Sequence, residues 1–104
     1  MTASIDMGRE ALMAAAADAF GDGFEGVIEI TPDGCDPFFV DGRGPVATIF
    51  SDRPAEADCT WRSPPATLIS IFQRKRALEN AYLSGRLVIG GDMSVMARLV
   101  MKCD

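Results

Sequence analysis

Residues 81–99 read AYLSGRLVIGGDMSVMARL and contain the strongest fold signal of the chain. The first part is helix-forming and ends at Gly85, because glycine readily adopts the left-handed conformation that closes many helices. A short apolar run over residues 86–89 predicts a strand, which Gly90 and Gly91 interrupt. Asp92 is a typical N-terminal cap, so a last helix is expected over residues 93–103. The stretch therefore predicts a helix end, a strand and a helix in close succession.

The residues before this stretch predict a helix, four strands and a pair of helices. Residues 7–20 are rich in Ala, Leu and Met, which cost least in a helix. Apolar and polar residues then alternate, which predicts strands within residues 24–31, 37–40, 46–50 and 57–62. Short turns separate these strands, so we expect them to pair antiparallel as a meander. Two helices follow: the first begins at Ser63-Pro64-Pro65 with Ser63 as its cap, and the second covers residues 76–83.

This element order defines the predicted fold class, which is α+β. We expect a five-stranded, mostly antiparallel sheet with the helices packed on one face. A chain of 104 residues has the usual length of one domain, so residues 1–104 are interpreted as a single domain.

Two residue counts exclude most enzyme classes. The chain has no histidine, which removes imidazole bases, Ser-His-Asp catalysis and histidine metal sites. Its three cysteines are far apart and form no C-x-x-C pair, so we expect reduced thiols and no metal site. The sequence thus predicts a protein that is not an enzyme, with no catalytic residues and no cofactor.

Charge and hydropathy limit which binding partners and which cellular location are expected. The net charge of −5 disfavours nucleic acid, which needs a basic surface. No apolar run approaches the ~20 residues that span a bilayer, so at most transient membrane contact is expected. The first residues show no secretory signal pattern, and a cytoplasmic location is the expectation.

Several short motifs resemble the sterol carrier protein type 2 family of lipid-binding domains. Residues 81–85 match its Ala-aromatic-Met/Leu-x-Gly helix end, and residues 86–89 match its basic-apolar strand. Residues 91–93 are its Gly-Asp-Met at the start of the last helix, and residues 57–60 look like its Ala-Asp-x-Thr strand. The resemblance implies the same α+β fold and a non-enzymatic domain that binds a hydrophobic lipid.

The last predicted helix is apolar over an unusually wide arc. Only Ser94, Arg98 and Lys102 fall in one polar stripe, which leaves an apolar arc of about 240° where a surface helix needs little more than 100°. Such a helix must contact the sheet and something else: neighbouring helices, a bound lipid or another protein.

The leading hypothesis is an apolar cavity between sheet and helices that binds, transfers or presents a fatty acyl, sterol-like or prenyl molecule. The expected lining residues are Leu68, Ile69, Phe72, Tyr82, Leu83, Met93, Met96, Leu99 and Val100. The alternative is an accessory module whose C-terminal helix forms a homodimer or docks to an enzyme of a lipid or quinone pathway.

Overall fold

The computed structural model describes residues 3–51 and 56–99, with the side chains of residues 10–51, 56–74 and 77–99. Its helices are α1 (Ala3–Ala19), α2 (Pro65–Gln73), α3 (Lys75–Ser84) and α4 (Ser94–Arg98). Its strands are β1 (Val27–Pro32), β2 (Phe38–Asp41), β3 (Thr48–Phe50), β4 (Cys59–Ser63) and β5 (Val88–Gly91). The predicted order of elements is confirmed.

The five strands form one sheet in the order β3-β2-β1-β4-β5. Three of its pairings are antiparallel, but β1 and β4 are parallel, with Ile30 opposite Trp61. The mostly antiparallel sheet is confirmed, whereas the four-strand meander is wrong at its last step. After β3 the chain crosses the sheet, which places β4 beside β1. β4 is thus an inner strand with β1 on one side and β5 on the other, and its Trp61 is fully buried.

Successive side chains along each strand point to opposite faces of the sheet. The core-facing residues Ile28, Ile30, Val40 and Trp61 join Leu12 and Ala16 of α1 and Leu68 and Ile71 of α2 in one buried cluster. Side chains such as Glu29, Thr60 and Arg62 point to the opposite face. The described helices therefore cover one face of the sheet. None of them has both the length and the apolar character that crossing a membrane requires.

Two glycines show why the chain turns where it does. Gly85 closes α3 with a φ of 82°, so the predicted left-handed helix end is confirmed. Gly91 ends β5 with a φ of 87°, and a Cβ there would lie 2.5 Å from the carbonyl oxygen of Asp58. Gly91 thus belongs to the strand that it was expected to interrupt, and only glycine fits between β5 and β4.

Two predicted helix boundaries are wrong. Ser63 belongs to β4, where its carbonyl accepts a bond from the Asp33 amide at 3.0 Å, so the cap position of α2 falls to Pro64. The last helix ends at Arg98 rather than near residue 103, because Leu99 is extended with φ −71° and ψ 129°. Residues 100–103 of that prediction lie outside the described part of the chain.

Candidate functional site

An aromatic cluster fills the space between the helices and the sheet. Phe20, which follows α1, lies at its centre. The ring of Phe20 is 5.7 Å from Trp61 on β4, 5.8 Å from Phe72 on α2 and 6.2 Å from Phe24. All four side chains are at most 2% exposed. The interior next to the sheet is therefore apolar and closed to water.

Strand β4 brings polar atoms into this apolar interior. Its burial alternates, so that Cys59, Trp61 and Ser63 are buried while Thr60 and Arg62 are exposed. The indole Nε1–H of Trp61 donates to the sulfur of Met96 at 3.2 Å. The hydroxyl of Ser63 has no hydrogen-bond partner among the described residues. Burial raises the pKa of the Cys59 thiol, which stays neutral at physiological pH.

Polar contacts hold α4 against the start of β1. The guanidinium of Arg98 donates to the carbonyl oxygens of Phe24 at 3.0 Å and Glu25 at 3.1 Å. Asp92 accepts bonds from the amide and the hydroxyl of Ser94, and these two bonds lower the pKa of Asp92. The cap position itself falls to Met93, so α4 begins one residue later than predicted. These contacts fix both ends of a helix of only five residues and position Met96 over the aromatic cluster.

Five of the expected lining residues lie in or against the buried hydrophobic core that contains the aromatic cluster. Leu68 and Phe72 are buried in this core, and Ile69, Met96 and Leu99 are half-buried against it. Three others point to solvent, namely Tyr82, Leu83 and Met93, which are 47%, 74% and 45% exposed. Val100 lies outside the described residues.

The expectation that Tyr82 faces inward is wrong. Its neighbour Ala81 occupies the buried position of α3 at 1% exposure. Adjacent helical residues point about 100° apart, so Tyr82 turns away from the core.

Some residues of this region were missed at the level of sequence. The predicted first helix ends at Phe20, and the sequence does not predict that this ring lies at the centre of the aromatic cluster. Ser63 was interpreted as a cap, and its burial follows from the register of β4 with β1. Such non-local pairing has no local signal.

Two clefts lie elsewhere on the surface. One, of about 250 Å³, runs between α2 and α3 and is lined by Ala66, Thr67, Ser70, Ala77, Asn80, Ala81 and Arg86. The other, of about 310 Å³, lies on the opposite face of the sheet beside Glu29 and Arg62. Both mix polar and apolar groups. Within the described residues, no group of three His, Cys, Asp or Glu side chains is placed to hold a metal ion.

Comparison with known proteins gives a family and a fold. Residues 10–103 match the SCP-2 sterol transfer family. The structure is similar to sterol carrier protein 2 like 2 of Aedes aegypti, with a TM-score of 0.61 and 19% identity over 91% of this chain and 92% of that one. It is also similar to a ubiquinone synthesis protein, UbiJ-SCP2, with a TM-score of 0.58 and 20% identity over 85% of this chain and 73% of that one. A third similar structure is the apo form of sterol carrier protein 2 of Yarrowia lipolytica, with a TM-score of 0.53 and 13% identity over 86% of this chain and 75% of that one. No curated protein sequence matches the chain.

Proposed function

This chain belongs to the SCP-2 sterol transfer family, and on that premise we propose that it binds an elongated hydrophobic lipid between its helices and its sheet. The single observation that carries the proposal is the position of Met96 and Leu99. Both are half-buried and pack against the buried hydrophobic core, and the sulfur of Met96 contacts Trp61, so they form a boundary between the apolar interior and solvent.

The proposed entry of the lipid is under α4. Methionine is unbranched and adapts to irregular apolar shapes, so Met96 can move aside at low cost. Leu99 follows the end of α4 in extended backbone and is half-buried. A lipid chain that replaces these side chains would contact Phe72, Leu68 and Ile69 without exposing them to water.

Three of the expected lining residues are exposed and do not line the lipid site in this proposal. Tyr82, Leu83 and Met93 are too exposed to line an enclosed cavity, and we assign them at most to its entrance or to a transient contact with a membrane. Binding rather than catalysis is supported by the lack of histidine in the whole chain.

The test compares two single variants. One has a carboxylate at the boundary formed by Met96 and Leu99, and the other has a carboxylate just outside that boundary. Met96→Glu puts a charge against the aromatic cluster, where an unpaired carboxylate is costly. Met93→Glu is the matched control, because Met93 lies three residues earlier and is 45% exposed. Titration with a fluorescent fatty acid is expected to saturate for the wild type and the Met93 variant. The Met96 variant is expected to lose uptake while it keeps its circular dichroism spectrum.

Other outcomes would contradict the proposal. Equal uptake by both variants would place the lipid elsewhere. A wild type that takes up no probe, is a dimer and becomes a monomer on Met96→Glu would instead support the accessory module. A Met96 variant that unfolds would indicate a close-packed core.

A further inference from the structure

The two edges of the sheet differ in how they are covered. At the β3 edge, the amide of Ala47 donates to the carbonyl oxygen of Gly21 at 3.1 Å. An antiparallel bridge between Asp22 and Val46 lies next to this bond. β5 forms the opposite edge and pairs only with β4. Among the described residues, no backbone group of Val88–Gly91 bonds to backbone outside that pairing. One side of β5 therefore presents unpaired amides and carbonyls.

The sequence of β5 contains nothing that blocks a further strand. Exposed edge strands in natural proteins commonly carry a charged residue or a proline, which prevents pairing with another chain. β5 reads Val-Ile-Gly-Gly and carries neither. In the described part of the chain, four of the five exposed large apolar side chains fall within residues 82–93, in β5 or on either side of it. Apolar exposure concentrated in this way marks an interaction surface.

Opposite charges lie at the two ends of β5. Arg86 precedes the strand by two residues, and Asp92 follows it directly. The Nε–H of Arg86 donates to the Ser84 hydroxyl at 3.0 Å, and Asp92 accepts its two bonds from Ser94 through a single carboxylate oxygen. Both side chains are exposed, and neither forms an ion pair within the described residues. Both charges can therefore act on a second chain.

We propose that β5 is an interface along which two copies of this chain pair antiparallel, so that their five-stranded sheets join edge to edge. Antiparallel pairing of a strand with itself is symmetric, so each contact is made twice. A register centred on Ile89 places Val88 opposite Gly90 of the second copy. Both of these residues lie on the same face of the sheet, as residues opposite each other in a joined sheet must. The same register places Arg86 opposite Asp92.

The order of the charges favours a second copy over other partners. In an antiparallel pair, the start of one strand lies beside the end of the other. The basic start of β5 therefore meets the acidic end of its copy, and this happens at both ends of the interface. A parallel pairing would place like charges together instead. β5 is short and exposed ion pairs stabilise little, so the dimer is expected to be weak and to depend on concentration and salt.

Sedimentation velocity over a range of chain concentrations measures this dimer. The wild type is expected to shift from a mass of 11.1 kDa towards twice that mass as the concentration rises. Val88→Lys adds a charge to the edge strand and is expected to weaken the dimer about tenfold. Val46→Lys is the matched control, because Val46 is 62% exposed, compared with 59% for Val88, and lies beside the opposite edge. This control is expected to dimerise like the wild type.

A pair of charge variants tests the register. Arg86→Glu and Asp92→Lys each place like charges at both ends of the interface and are each expected to weaken the dimer about tenfold. An equimolar mixture of the two variants has opposite charges at both ends again, so heterodimers with nearly wild-type affinity are expected. Mixing would not reverse a merely structural effect of either substitution. Circular dichroism checks that Asp92→Lys folds, and Arg86→Glu and Val88→Lys keep the test decisive if it does not.

Hydrogen exchange then locates the interface. Amides of residues 88–91 are expected to exchange more slowly at high than at low chain concentration. A wild type that stays monomeric up to about 1 mM overturns the proposal. A dimer that Val88→Lys leaves intact, or that Met96→Glu dissociates, also overturns it, because the interface then lies elsewhere. A mixture of the two charge variants that forms no heterodimer overturns the antiparallel register. Each of these outcomes leaves lipid binding, which uptake of the fluorescent fatty acid measures, to stand or fail separately.

Discussion

At the scale of the single residue, Gly85 gives the clearest stability prediction. Its φ of 82° is unfavourable for any residue with a Cβ, yet no atom lies within 4 Å of where that Cβ would be. Gly85→Val is therefore expected to destabilise the domain by conformational strain alone, by about 1–2 kcal/mol. Urea unfolding midpoints measure the loss. Gly44→Val is the control, since Gly44 has no positive φ and a Cβ there would make only an ordinary 4.0 Å contact with the Val46 carbonyl oxygen. Equal midpoints for Gly85→Val and wild type would contradict the strained helix end.

Gly91 adds a steric clash to the same strain. Its φ is 87°, and a Cβ would meet the Asp58 carbonyl oxygen at 2.5 Å, which is backbone that cannot move aside cheaply. Gly91→Ala is expected to cost more than Gly85→Ala, roughly 2–4 kcal/mol, because β5 must separate from β4. The same unfolding measurement compares the two alanine variants. A smaller loss at Gly91 would show that the β4–β5 contact is loose.

At the scale of the element, the start of α4 depends on one carboxylate. Bonds from the Ser94 hydroxyl and amide lower the pKa of Asp92 in the folded state. A group with a lowered folded pKa stabilises the fold above its ordinary pKa, near 4, and loses this contribution as the pH falls through the lowered value. Asp92→Ala is expected to lower Tm at neutral pH, with the difference from wild type narrowing below about pH 4. Thermal scans across this range check it, and a difference that stays constant down to pH 2 would contradict it.

Helices and strands could be predicted from the sequence where the pattern that defines them lies within a few neighbouring residues. Glycine at the end of α3 and the alternation in β4 are properties of a few neighbouring residues, and both were predicted correctly. The parallel pairing of β4 with β1 could not be predicted, because it depends on a crossover between segments about 30 residues apart. The early end of α4 was missed since an apolar run looks the same whether it is helical or extended.

At the scale of the whole molecule, the fold is expected to need neither metal nor disulfide. Cys35 and Cys59 are free, and the described residues offer no metal-holding group. Chelator and reductant are therefore each expected to leave Tm unchanged. A drop of several degrees with either, in a thermal scan of the purified protein, would show that a metal ion or a disulfide stabilises the fold.

Only some of the residues at the candidate site could be predicted from the sequence. Leu68 and Phe72 lie in the core because α2 buries one face, which the helical period predicts. Leu83 and Met93 were assigned by motif and by helix arc, and the structure exposes both. Apolar character shows that a side chain can be buried. Its neighbours in three dimensions decide whether it is.

The central claim is that this chain holds a lipid inside its fold, and native mass spectrometry of the 11.1 kDa protein tests it directly. The purified chain is measured before and after organic extraction, and again after the extracted protein is incubated with the fluorescent fatty acid. We expect each chain to acquire one molecule of the probe, with saturation at one-to-one. A spectrum that shows only the ligand-free mass, both before extraction and at every ratio of probe to protein, would contradict lipid binding.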